Sequence, residues 1–319
     1  TSSLHHTVPQ LELAQLLLDD TCLDRIFYVN SGGEATETAM KAARKHGKLN
    51  RDGAYEVITT NRSFHGRTLA TTAATGTRAY QVNFDPMPEG FGQVEYNDLD
   101  AMRAAISDTT CAIMVELVQG EGGIWPGDGS YIEGLRELCD EDNLLLIFDE
   151  VQTGIGRLGS FYGYQHYGVE PDIITLAKGL GGGVPIGATL FKEDACTLRP
   201  GDHGNTFGGS PLMCAAAKVV VEAVQGPGFL DAVIAKGQRV RSGLEALRDT
   251  GKVFDVRGVG LLNGVQFDSP DTADHVVAQS RADGLILVKV DAATVRLVPP
   301  LNVEDAEIDQ AVAIIGGTL

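Results

Sequence analysis

Basic residues are scarce in this 319-residue chain: 25 lysines and arginines stand against 43 aspartates and glutamates, a formal charge of -18. Such a field repels nucleic acid and anionic lipid, so neither is expected as a partner. The acidity reads as a solubilising surface. Cysteines are few: Cys22, Cys111, Cys139, Cys196 and Cys214 form no C-x-x-C pair and no zinc-finger spacing, and an odd number suits a disulfide framework poorly. A reducing, cytoplasmic compartment is the expectation. No metal site is expected; His5-His6 is too short a tract, and nothing nearby completes it. No apolar run nears the ~20 residues of a membrane span, no secretory leader is visible, and no internal repeat appears. What is present is ordinary for a globular protein, 43% apolar and 21% charged. The length allows one large core and a smaller satellite domain.

Short apolar runs at 26–29, 55–59, 112–117, 144–148, 173–177 and 188–191 read as buried strands. Stretches 34–48 and 132–140 have helical period. Strands buried on both faces and separated by helices predict an α/β domain with a mainly parallel sheet and helices on both faces. In such sheets chemistry gathers at the carboxyl ends of the strands. The texture changes at Gln225-Gly226-Pro227-Gly228. Beyond it a helix (230–248), strands (253–256, 261–267), a second helix (273–283) and two short strands (285–290, 294–297) predict a smaller α+β domain. The expected division is 1–225 and 226–319.

Three places at predicted strand ends carry chemistry. Ser31-Gly32-Gly33-Glu34 follows the first strand with capping-box spacing, so a helix should begin there. Its open N–H groups and positive dipole end suit a phosphate, although a plain strand-turn-helix joint has the same pattern. Asp149 ends the apolar run 144–148. A carboxylate so placed needs a cationic partner or several donors; it reads as an acid keeping a heterocyclic nitrogen protonated, or as a structural aspartate satisfied by backbone. Lys178, one of only nine lysines, follows a third apolar run and precedes Gly179-Leu180-Gly181-Gly182-Gly183. Partial desolvation there would favour the neutral amine that attacks an aldehyde. Lys289 is the local rival, without a glycine-rich mouth. A phosphate cradle, a carboxylate and a lysine together form the set that pyridoxal phosphate needs.

The motifs NSGGEATETAMK, SFHGRTLATTAATG, ELVQGEGG, LLLIFDEVQTGIGRLG, DIITLAKGLGGGVPIGA, PGDHGNTFGGSP and VRLVPPL follow one another along nearly the whole chain. In this order they resemble the class III aminotransferases of fold type I, and most of all the acetylornithine aminotransferases. The resemblance implies pyridoxal 5'-phosphate as cofactor and transamination between an N-acylated ornithine and 2-oxoglutarate, in arginine biosynthesis. It implies that Gly32 and Gly33 hold the phosphate, Phe64 and Val151 lie on the two ring faces, Asp149 pairs with the ring nitrogen, and Gln152 bonds the ring hydroxyl. Lys178 would carry the cofactor and shuttle the proton. Thr206 would reach the phosphate of a neighbouring subunit, making a homodimer part of the mechanism, with Asn205 at that interface. Arg67 would take the substrate α-carboxylate and Arg296 the second carboxylate of glutamate. Glu121 would pair with Arg296 when the other substrate is bound.

Departures are Leu117 where proline is common, Thr36 for asparagine, Asn205 for serine and Ser210 for asparagine. Family members carry several dozen residues before the point matching Thr1, so the chain is expected to be N-terminally incomplete. The rivals are a sister ω-aminotransferase using ornithine, 4-aminobutyrate, succinylornithine or a carrier-linked substrate, and an inactive scaffold relative. An NAD-binding Rossmann reading fails because Gly179–Gly183 lacks the G-x-G-x-x-G register.

Overall fold

The computed structural model describes residues 4–19 and 21–319. Its strands, in chain order, are β1 (Arg25–Val29), β2 (Glu56–Thr60), β3 (Phe91–Val94), β4 (Thr110–Val115), β5 (Val118–Gln119), β6 (Trp125–Pro126) and β7 (Leu145–Asp149). They continue with β8 (Ile173–Leu176), β9 (Gly187–Phe191), β10 (Val253–Val259), β11 (Leu262–Phe267), β12 (Val288–Lys289) and β13 (Thr294–Leu297). The main sheet has the order β1-β9-β8-β7-β4-β2-β3. Strands β3, β2, β4, β7 and β8 run parallel, whereas β9 is antiparallel to both β8 and β1.

Successive side chains leave a strand on opposite faces, and here both faces are apolar. Ile113, Val115, Leu146, Phe148, Ile174 and Leu176 enter one core; Ala112, Met114, Leu145, Ile147 and Ile173 enter the other. That double burial is why the strands read as unbroken apolar runs. Helices α1 (Val8–Leu18), α2 (Gly32–Asn50), α3 (Leu69–Ala74), α4 (Leu99–Ala105), α5 (Gly129–Asp142), α6 (Gly163–Tyr167) and α7 (Pro211–Val224) accompany this sheet. Helix α2 turns Ala39, Met40 and Ala43 to one core, while α5 and α7 close the other with Leu135, Leu138, Ala217 and Val221. No single described helix is long and apolar enough to cross a membrane.

The smaller C-terminal domain has the four-stranded antiparallel sheet β10-β11-β13-β12, with α8 (Phe229–Glu245), α9 (Pro270–Ala282) and α10 (Asp305–Gly317). The helix expected over 230–248 ends at Glu245 and tightens into a 3-10 turn, Ala246–Thr250, closed by Gly251 at φ 72. The strand expected over 285–290 pairs only at Val288–Lys289. Strand β3 has no counterpart in the sequence reading. It lies at a sheet edge and is half-buried at every position, so it lacks the apolar run that marks the others.

Candidate active site

The parallel strands bring five loops to one edge of the sheet, around a cavity of about 790 Å³. Because β9 runs against its neighbour, its start (Pro185, Ile186) reaches the same cavity. Between β1 and α2, the Ser31 hydroxyl caps the helix by accepting from Glu34 N at 3.3 Å. The reciprocal half of the expected capping box is shifted by one residue, for the Glu34 carboxylate accepts from Asn30 N at 2.6 Å and from Asn30 Nδ2 at 3.1 Å. Gly32 and Gly33 open the helix, where N–H groups have no intrahelical partner. A Cβ on Gly32 would come within 2.7 Å of Val151 Cγ1, so any side chain there would have to displace Val151. Gly33 has space, with Thr68 Cγ2 the nearest atom at 3.8 Å from such a Cβ.

At the end of β7, Asp149 is buried yet lines the cavity. Its Oδ2 lies 2.7 Å from His65 Nδ1, and its Oδ1 accepts from the Thr175 hydroxyl at 3.0 Å and Val151 N at 3.1 Å. The purely backbone-satisfied alternative is thereby only one donor in three. The network assigns a hydrogen to His65 Nδ1; the opposite nitrogen, Nε2, is buried without a partner. Glu116, after β4, accepts from Phe64 N at 3.0 Å and Gly120 N at 3.2 Å. Burial pushes its carboxyl up to about 7, with His65 opposing and Asp149 reinforcing the rise. Neither His65 nor Glu116 was singled out from the sequence. Both lie inside quoted motifs, and the rule that found Asp149, a polar residue at the end of an apolar run, also points to Glu116.

Lys178 begins the turn after β8 at φ 37, a left-handed conformation uncommon for a side-chain-bearing residue. Its side chain is exposed to the open cavity, although neighbouring protein atoms partly desolvate the amine. Desolvation lowers its pKa, although Asp149, Glu116 and Glu121 pull the other way. Lys289 instead lies on the edge strand β12, paired with Asp274, and takes no part in the cavity.

Phe64, Arg67, Val151 and Gln152 also line the cavity, whereas Glu121 and Arg296 stand just behind it, Arg296 touching the lining through Gln152. The Arg67 guanidinium sits 4.1 Å from the Tyr80 ring centroid and 5.1 Å from that of Phe64, with no carboxylate partner among the described residues. Arg296, on β13, donates from Nη1 to Glu121 Oε1 at 2.5 Å, to Gly120 O at 2.8 Å and to Gln152 Oε1 at 3.2 Å. Asn205 and Thr206 stand apart. Asn205 is tied to Asn30 and Glu34, and Thr206 is exposed; neither lines this chain's cavity.

A phosphorylated pyridine aldehyde fits these residues. The helix start offers open N–H groups at two glycines, Asp149 presents a pre-oriented carboxylate, and Lys178 supplies a partly desolvated amine into the same cavity. Comparison with known proteins agrees. The model of the family described as Aminotransferase class-III matches residues 1–319. The acetylornithine aminotransferase of Caldanaerobacter subterraneus subsp. tengcongensis is 47% identical over 320 residues, covering 100% of this chain and 81% of that protein. The acetylornithine aminotransferase of Thermosynechococcus vestitus is 48% identical over 329 residues, covering 100% and 80%. Among solved structures, an ornithine aminotransferase from Toxoplasma gondii, with partial occupancy of PLP at its active site, superposes with a TM-score of 0.94 at 32% identity, covering 100% of this chain and 78% of that one.

Proposed function

We infer that this chain, which belongs to the class III aminotransferases and uses pyridoxal 5'-phosphate, moves the terminal amino group of N2-acetylornithine to 2-oxoglutarate, giving the semialdehyde and glutamate in arginine biosynthesis. It is an enzyme that transfers amino groups. When bound, the cofactor supplies an aldehyde that exchanges amino groups and a ring that withdraws electrons.

The chain's own residues have the following parts. The Gly32 and Gly33 N–H groups hold the phosphate, and Phe64 and Val151 flank the ring. Asp149 holds a proton on the ring nitrogen, with His65 fixing Oδ2 of that carboxylate. Gln152 bonds the ring hydroxyl through its amide. Lys178 Nζ would hold the cofactor's aldehyde carbon until the substrate amine displaces it, and the freed amine would then carry the proton from the substrate carbon that bears the amino group. Arg67 takes the α-carboxylate, a role favoured by its having no carboxylate partner among the described residues while its guanidinium rests on the Tyr80 and Phe64 rings. Thr206 and Asn205 serve a neighbouring subunit in a homodimer, a reading supported by the outward exposure of Thr206. The compartment we propose is the cytoplasm, in keeping with a set of free thiols.

The choice of donor is supported by the likeness to acetylornithine aminotransferases, and the observation that carries the alternation between that donor and glutamate is the Glu121–Arg296 pair. An acylated ornithine has a single carboxylate, which Arg67 takes, whereas glutamate has two and needs a further cation for the second. An arginine neutralised by a carboxylate on a separate loop can serve both. Rates with N2-acetylornithine, N2-succinylornithine, ornithine and 4-aminobutyrate as donors test the assignment. The acetylated donor is expected to give the highest kcat/KM, and a clear preference for free ornithine would overturn it.

A further inference from the structure

Glu121 sits at the tip of a small ribbon. Strands β5 and β6 pair antiparallel, Val118 with Pro126 and Gln119 with Trp125, and residues 120–124 form the connection. That tip is conformationally demanding: Gly123 has φ 112 and Ile124 φ 57. A Cβ on Gly123 would lie 2.6 Å from Asp291 Oδ2 and 2.8 Å from Trp125 Nε1. Such a tip keeps its shape only if its surroundings impose it.

Two arginines do so, one on each limb. Arg296 donates to Gly120 O on the first limb, beside its bond to Glu121. Arg257, on β10, takes the second: its Nε donates to Gly123 O at 2.9 Å and Ile124 O at 3.1 Å, and its Nη2 to Gly123 O at 2.6 Å. Its guanidinium also lies 3.7 Å from the centroid of the Trp125 ring. The two arginines belong to one row of the small sheet. Arg257 is opposite Gly264 in the β10–β11 register, and Gly264 is opposite Arg296 in the β11–β13 register. Residues directly opposite share a face. Gly264 is the gap between them, since a Cβ there would stand 2.9 Å from Ile124 Cβ. The Arg–Gly–Arg row thus forms a socket for the tip. The Arg257 charge is compensated within its own sheet by Asp255 at 2.8 Å, with Gln266 and Thr294 taking further N–H groups.

We propose that Arg257 is a positioning residue for substrate choice: by holding the Gly123–Ile124 limb, it places Glu121 against Arg296. The inference rests on the Glu121–Arg296 pair being the element that lets one pocket accept both substrates. Arg257 itself does not line the cavity and acts only through the tip. A planar guanidinium with several N–H groups in a fixed fork can hold two carbonyls and stack on an indole at once. Without it the two carbonyls lose their donors and Glu121 is less often in place. Arg296 is then left uncompensated, which suits a dicarboxylate and penalises the acylated substrate.

The test is single-turnover kinetics of the holoenzyme with glutamate and, separately, N2-acetylornithine. Arg257→Gln is expected to shift the ratio of the two rates toward glutamate roughly tenfold, in the direction of Glu121→Ala. In the Glu121→Ala background it is expected to add no further shift, because its route runs through that carboxylate. Trp125, the single tryptophan, should report the displaced tip as a changed emission spectrum. Should Arg257→Gln fail to fold, Gly264→Ala presses on Ile124 from the same row and is expected to shift the ratio the same way. An unchanged ratio in the folded variants, beside a shifted ratio in Glu121→Ala, overturns the role of Arg257. An unchanged ratio in Glu121→Ala itself overturns the switch, and the inference with it.

Discussion

An amine attacks a carbonyl only when unprotonated, and burial moves Lys178 in that direction against three nearby carboxylates. Borohydride reduction of the holoenzyme is therefore expected to fix the cofactor on the peptide containing Lys178, and Lys178→Ala to lose activity by at least a thousandfold or so. Label on Lys289 would sink the assignment. Asp149 makes a separate demand, since its carboxylate must stay charged to hold a proton on the ring nitrogen. Asp149→Asn keeps the shape and the Thr175 contact but removes the charge. It is expected to retain cofactor and to turn over roughly a hundredfold more slowly or worse; wild-type turnover would refute the role. Lys178 and Asp149 are legible in the sequence because each ends or follows an apolar run, a purely local signal. His65 is not legible in that way. Its role comes from Asp149, 84 positions away, and only the β2-β4-β7 order brings the two strand ends together.

At the scale of elements, alternation of apolar runs and helical stretches was enough to locate the main strands to within a residue or two, because burial on both faces leaves an unbroken signal. Direction and pairing were less legible: the reversal of β9 depends on a neighbour, and the two-residue strands β5 and β6 are too short to have a period. The motif Asp149-Glu150 also conceals a second buried acid. Glu150 accepts from Gly163 N at 2.5 Å and Tyr164 N at 2.8 Å, so it caps α6. Burial pushes it up from 4.5 to about 7. A carboxyl raised in the folded state binds more protons there than in the unfolded chain, so its contribution to stability falls as pH rises from about 4.5 through about 7. Glu150→Gln does not titrate and keeps one acceptor for the cap. The difference in unfolding free energy between wild type and variant, from urea melts at several pH values, should move in the variant's favour across that window, by at most about 3 kcal/mol. A difference independent of pH would show that Glu150 titrates normally.

At the scale of the molecule, the loop bearing Thr206 is firmly held yet points outward. Asn205 is tied to Asn30 and Glu34, His203 contacts Thr38 and Lys41, and Asp202 pairs with Lys45. Ordering a loop costs backbone entropy, and among the described residues none bonds to the exposed threonine at its end. On the same chain, α1 packs against α7 while Val8, Leu11, Leu212 and Val219 remain exposed, the kind of apolar surface that marks an interaction site. The sequence could supply the residue but not its destination, because a role across an interface leaves no period and no contact within one chain. Subunit mixing separates the two possibilities. A Lys178→Ala subunit lacks the amine but keeps Thr206; a Thr206→Asp subunit keeps the amine but repels the partner's phosphate. In a hybrid dimer with shared sites, one site recovers both wild-type residues and the other loses both. Random mixing makes about half the dimers hybrid, each with one intact site of two, so about a quarter of wild-type activity is expected from two nearly inactive parents. If hybrids form and activity stays at the parental level, each chain's site is self-contained and Thr206 belongs to the surface alone.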